Sequence, residues 1–370
     1  MSPFLIRLEK EFLSTGDERT RAEIDARRAA YLARTGNFDT AREIVARLRL
    51  IYADGRAVRI TILIMVAEAL IYQYESLNKD GLDKIIRAQL LSRMARDLNL
   101  EAITSAWRAH IEFENSCFAE MFSSLEAAHR CAGLCGSNEA MARVANIACK
   151  IGLLCGETTF ANRQFLFGRD KALMDGDQAS IEALQHNKAA FRLSRLRSSM
   201  CFGQVDAVEL NQTRIEIASA RSLQHLARIT ALSTYIDLCE AHLLIVEQRF
   251  QDAIEALNRI RSAGPFPVGS FSTQMLDLEI SFCLALLERQ DDAINMFNSI
   301  RMNEVESLDA DELLFFRWMQ LRLAEQDVRF GSIGIAKANF EVAASAYNAM
   351  IERLRDGLRD IFNIKGRLEL

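Results

Sequence analysis

A short pattern recurs along the chain: a small or polar residue, an aromatic, two spacers, then an Ala that opens an apolar helix face. It reads Gly36-Asn37-Phe38-Asp39-Thr40-Ala41 near the start. It returns as Arg249-Phe250-Gln251-Asp252-Ala253, as Asp291-Asp292-Ala293 and as Asn339-Phe340-Glu341-Val342-Ala343. A chain that repeats one pattern every ~40 residues is constrained to stack copies of one two-helix unit. In that unit the residue before the aromatic lets the chain reverse. The aromatic wedges between the two helices, and the Ala, one turn further on the same face, lets them approach closely. Leu257 with Ile260, and Phe297 with Ile300, continue the stripe at helical spacing.

Taking Ala41, Ala253, Ala293 and Ala343 as register marks, weaker marks fall at Ile85 after Leu82, Leu125 after Phe122 and Val208 after Val205. One more is placed near Arg163, after Phe160. Successive gaps run from about 38 to about 50 residues, which predicts about eight helical hairpins. Composition agrees. Only three prolines in 370 residues leave too few turns for an all-β fold, and the expected class is all-α. Helix A is expected over Ala22–Thr35, Thr234–Glu247 and Gln274–Leu287, with a lead helix over Pro3–Ser14 capped by Ser2. Breaks are expected at Gly264–Ser270 and at Ser307–Asp311, the latter a helix cap rather than a calcium loop because the Gly and distant Glu are missing. The run Ile60–Ala67, closed by Glu68, is too short to span a bilayer and reads as a helix buried on most sides. Residues 1–16 form the lead segment, 17–335 the repeats and 336–370 a C-terminal helical cap. Within that cap Ala336–Phe362 follows three- and four-residue steps; closing the stack is its default role, and homodimer formation is the alternative.

Gly36–Ala41 matches the Gly-x-Tyr/Phe-x-x-Ala core of the tetratricopeptide repeat, Arg249–Ala253 matches it without the Gly, and Pro265 stands twelve residues after Ala253 as in that family. The chain resembles the divergent, longer repeats of bacterial regulators of the maltose-activator kind and of sensory regions of signalling proteins. The match is poor between Met141 and Ser199. The resemblance implies a right-handed α-solenoid whose concave face is lined by the A helices, and members usually bind peptides or protein segments there. By the same pattern the inward-facing candidates are Arg34, Trp107, His110, Glu114, Arg197, Tyr235 and His242. Aromatic and Arg side chains are the usual anchors of an interface.

Direct evidence of chemistry is thin. There is no phosphate loop, dinucleotide fingerprint, nucleophile elbow or His-Glu-x-x-His. The five histidines are scattered. Five of the eight cysteines fall between Cys117 and Cys155, without the spacing of a zinc finger or ribbon, and read as small packing residues. Arg42, Arg47, Arg49, Arg56 and Arg59, and the run Arg192, Arg195 and Arg197, are either solvated ion-paired faces or a surface for an acidic peptide. A net charge of −5 lacks the footprint of phosphate binding. The charged N-terminal stretch lacks the apolar core of a secretory signal. The expectation is a cytoplasmic adaptor or regulatory protein that binds a protein or peptide. It is not expected to be an enzyme, or to need a cofactor, a metal, a membrane or direct contact with nucleic acid. The alternative is an intracellular sensor of a small signalling molecule or of redox state, with residues 117–155 as the detector.

Overall fold

The computed structural model describes residues 2–52, 55–76, 80–227, 229–231, 233–263, 273–300 and 308–362. The expected break at Gly264–Ser270, and Ser307, lie outside these residues. Among the described residues there are 17 α-helices and no strand. A lead helix α1 (Pro3–Ser14) has Ser2 as N-cap and Pro3 at its first position, as the sequence predicts. Neighbouring pairs follow: α2 (Glu18–Thr35) with α3 (Phe38–Ile51), α4 (Val58–Ser76) with α5 (Asp80–Met94), and α6 (Leu98–Glu114) with α7 (Phe118–Cys135). Next come α8 (Asn138–Cys155) with α9 (Thr158–Met174), α10 (Gln178–Cys201) with α11 (Ala207–Ala227), and α12 (Ser233–Val246) with α13 (Phe250–Ser262). The last are α14 (Thr273–Leu286) with α15 (Gln290–Asn298), and α16 (Ala310–Gln326) with α17 (Ile333–Phe362).

The recurring sequence pattern corresponds to one turn geometry. After α2, α6, α8, α12 and α14 a single residue enters the left-handed region: Gly36, Ser116, Gly156, Gln248 and Glu288. The next amide then reaches back to the same carbonyl each time: Asn37 to Leu32, Cys117 to Glu112, Glu157 to Gly152, Arg249 to Leu244 and Arg289 to Leu284, all at 2.8–3.0 Å. This is the helix stop in which a left-handed residue satisfies orphan carbonyls. Five residues after each left-handed position stands a fully buried side chain: Ala41, Met121, Ala161, Ala253 or Ala293.

That geometry corrects four marks. In α7 the turn places Met121, after Phe118, where Leu125 was expected, although Leu125 is buried one turn later. In α9 it places Ala161, not Arg163. Val208 is exposed near the start of α11 and marks nothing. Ala343 is buried in mid-helix, ten residues into α17, rather than at a turn.

The first helix of each pair is the more deeply buried. The run Ile60–Ala67 lies in α4, which hides residues on all sides, and α8 buries nearly all of Ala140–Cys155. Their partners are amphipathic, as in α13, where Ala253, Ile254, Leu257 and Ile260 face inward. No helix among the described residues is long and apolar enough to cross a membrane.

Both ends of the stack fold back on its middle. The Phe4 amide donates to the Gly176 carbonyl at 3.2 Å, tying α1 to the α9–α10 turn. Arg34 in the last turn of α2 reaches Asp177 at 2.9 Å. The Thr230 amide donates to the Thr35 carbonyl at 3.3 Å, so the end of the first pair meets the connection before α12. From the other end, α17 packs on α16 and returns across α7 and α8. Phe362 packs against Phe160 and His129, and Arg355 donates to the Cys155 carbonyl. The Ala343, Tyr347, Met350, Leu354 and Leu358 stripe is therefore buried within the chain.

Candidate functional site

Between these elements lies a cavity of about 280 Å³. Its wall is drawn from α2, α4, α6, α7, α8, α10, α12, α16 and α17. Of the seven residues predicted to face inward, Arg34, His110, Glu114, Arg197, Tyr235 and His242 line it. Trp107 lies one layer behind, fully buried, with its ring edge-on to His110 and its face under the Arg143 guanidinium at 3.7 Å. Residues from α2 to α12, far apart in sequence, thus converge on one site.

Two buried charged assemblies hold the wall. At one, the Asp177 carboxylate caps α10, accepting from the Ser180 amide and hydroxyl, and receives Arg34 Nη1 at 2.9 Å. Burial pushes the Asp177 carboxyl up, but the Arg34 charge and the hydrogen bonds from Arg34 and Ser180 outweigh it and hold it below the usual range. At the other, Arg197 Nη2 donates to Glu279 at 2.6 Å, and Arg197 Nη1 donates to His242 Nδ1 at 2.8 Å. His242 Nε2 then donates to Glu279 at 3.1 Å, which closes a three-membered ring. Burial, reinforced by Arg197, keeps His242 neutral, consistent with the tautomer this ring requires. The Nε atoms of Arg34 and Arg197 are buried without a hydrogen-bond partner. Their guanidinium groups lie instead against rings, Arg34 beside Tyr31 and Trp107 and Arg197 over Phe315 at 3.9 Å.

The sequence reading missed four groups. Lys150 is fully buried between the rings of Phe113 and Phe191, bonded to Glu114 and 3.5 Å from His110 Nδ1. Burial lowers the Lys150 ammonium despite Glu114. His110 is held well below its ordinary value by burial, then by Lys150 and Arg143. On α10, Glu182 and His186 face the cavity one turn apart. Burial alone raises Glu182 to about 7, and burial with the charges of Lys150 and Arg221 brings His186 down to about 4. On α16, Glu312 is raised well above normal by burial and by Asp311 and Asp309. The steps Ala179, Glu182, His186, Ala190, Leu193 and Arg197 place all six residues on one helical face, a signal present in the sequence.

The other candidates resolve differently. Arg42, Arg47, Arg49 and Arg59 are ion-paired to Glu75, Asp25, Glu68 and Glu23. Arg192 is buried against Glu216 and Glu209. Cys131, Cys149 and Cys155 are buried, and burial pushes the Cys149 and Cys155 thiols up to about 12, which disfavours the reactive thiolate. Among the described residues no group of three or more His, Cys, Asp or Glu could hold a metal ion. No protein-family model matches the chain, and no curated protein matches it.

Proposed function

We propose that the chain is a regulatory recognition protein, a right-handed tetratricopeptide-like superhelix of about eight hairpins that takes a small ligand into its central cavity. The observation that carries this reading is the convergence of charged and aromatic side chains from seven helices on one concave space. Ligand sites are concave, mostly apolar and furnished with a few placed polar groups. The wall fits that description, with Phe113, Phe191, Phe315 and Leu238 beside His110, Glu182 and Arg197. A volume of about 280 Å³ suits a small molecule better than an extended peptide. A catalytic role has little support: Lys150, the most perturbed amine, is locked between two rings and Glu114. Trp107 and Trp318 are the two tryptophans, so a Trp318→Phe variant makes Trp107 a reporter beside the cavity. Native mass spectrometry of protein purified from its source cells should show an adduct that is lost on unfolding. Its readdition should change Trp107 emission. No adduct, together with a silent Trp107 across ligand extracts, would count against the reading.

A second reading is an adaptor role carried by residues away from the cavity. The last turns of α3, α5, α7, α9 and α11 each expose large apolar side chains: Leu50 and Ile51, Met94, Leu134, Leu173 and Met174, and Leu226. A contiguous exposed apolar patch marks an interaction surface, and these helix ends are where to test for one. Loss of a co-purifying protein from Met94→Asp and Leu134→Asp variants of unchanged circular dichroism would support an adaptor role here. Retention would argue against it.

A further inference from the structure

We propose that the central cavity accepts a linear oligoamine, an elongated aliphatic chain carrying two or more ammonium groups. This inference rests on the reading of the cavity as a ligand site and adds the chemistry of the ligand.

It begins with the charges on the wall. The cations on the wall each have an anion, Arg34 with Asp177 and Arg197 with Glu279; behind the wall Lys150 has Glu114, and Arg143 lies over the Trp107 ring. The histidines His110, His186 and His242 are held neutral by burial. Glu182 and Glu312 remain, with Asp311 beside the latter. Both glutamates are half-buried, no ion pair joins either to a cation among the described residues, and a carboxylate drawn partly out of water gains from a nearby positive charge. Two carboxyls in search of positive charge thus face one cavity.

Their placement sets the shape of the ligand. Glu182 lies near the start of α10. The α16 carboxyls are fixed near its far end, where Ser194 Oγ donates to Asp311 at 2.7 Å. Twelve residues separate Glu182 from Ser194, roughly 18 Å along the helix axis. Two glutamate side chains shorten that span. Between the ends the wall offers Ala183, Ala190 and Leu193 with the Phe191 and Phe113 rings alongside, interrupted by the neutral His186 and by Asn187. Methylene segments suit that apolar middle, and ammonium groups suit carboxylates and ring faces. A dianion of the same length would meet the two carboxyls directly, and a neutral diol would leave them uncompensated.

Calorimetric titration of the full chain with spermidine at ~0.15 M salt, alongside suberate and 1,8-octanediol, tests this. The Trp318→Phe background adds Trp107 emission as the locator. Spermidine is expected to bind one to one with a change in Trp107 emission. Glu182→Gln and Glu312→Gln should each weaken it about tenfold or more, while Glu341→Gln on the exposed face of α17 leaves it unchanged. Spermidine binding that ignores Glu182→Gln, or leaves Trp107 silent, would be surface attraction and would overturn the proposal. Suberate or octanediol occupying the cavity in place of spermidine would also overturn it, while sustaining the cavity as a ligand site. Silence of Trp107 to all three probes and to cell extracts would remove the underlying reading as well.

Discussion

Glu182 is the residue at which stability and recognition pull in opposite directions. Its carboxyl is raised to about 7 by burial alone, with no charge from the facing helices entering as a cause. The sign of its effect follows from linkage. A folded-state value above the unfolded one near 4.5 means the native state holds the extra proton between the two. The contribution is complete below pH 4.5 and disappears as pH rises through 7. Glu182→Gln should therefore raise the melting temperature of the ligand-free protein at pH 8 and leave it nearly unchanged at pH 4.5. Melting curves at the two pH values decide this, and equal curves at pH 8 would show that the carboxyl is not desolvated. A variant that gains stability while losing ligand is the expected signature of a strained functional group. The cysteines supply a contrasting case. Cys135 is exposed and Cys117 half-buried, whereas Cys131, Cys149, Cys155, Cys201, Cys239 and Cys283 are buried. Native thiol titration should consume Cys135 quickly and Cys117 more slowly. The remaining six should react only on unfolding. Rapid native labelling of Cys149 or Cys155 would revive the redox sensor.

Among the elements, the α2–α10 contact shows how the site and the fold share parts. Removing one partner of a buried pair strands the other and typically costs about 3–5 kcal/mol. Arg34→Met should fall in that range, because Asp177 would remain buried with only the Ser180 bonds. Adding Asp177→Asn should recover part of the loss, since Asn still caps a helix and carries no charge. Denaturant unfolding of the two single variants and the double one measures the coupling, and additive losses would deny it. The same elements show what the sequence could reveal. Turn chemistry is local, so Gly36-Asn37-Phe38 and Arg249-Phe250 announced their turns directly. At Ser116, Gln248 and Glu288 the left-handed residue is not Gly, and the aromatic or the Ala had to carry the signal. Six inward candidates reached the cavity because helical periodicity fixes a face. Glu182, His186 and Glu312 escaped notice because α10 lies largely in the stretch where the repeat pattern is weakest and α16 follows no marked turn. Places where local consistency fails are often those shaped by function. The return of the ends onto the middle was not legible at all, since it depends on contacts such as Thr35 with Thr230, 195 residues apart.

At the scale of the whole molecule, the seam at Gly36 holds the first pair against the connection before α12. The Gly36 φ of 89° already favours glycine. A Cβ there would also lie 2.4 Å from Thr230 Oγ1 and 2.8 Å from the Ala231 backbone nitrogen. Gly136 offers a matched comparison, with φ of 70° and nothing within 4 Å of its Cβ position. Alanine at either site meets the left-handed penalty of about 1–2 kcal/mol, but only at Gly36 does it also force the seam apart. Gly36→Ala should therefore destabilise clearly more than Gly136→Ala. It should also speed hydrogen exchange at the Thr230 amide, which donates to the Thr35 carbonyl. Ala231 lines the cavity, so a parted seam opens its wall to solvent and weakens ligand capture, whereas Gly136→Ala leaves capture intact. Equal losses from the two substitutions, with unchanged exchange around Thr230, would mean that the first pair and the connection before α12 do not hold each other.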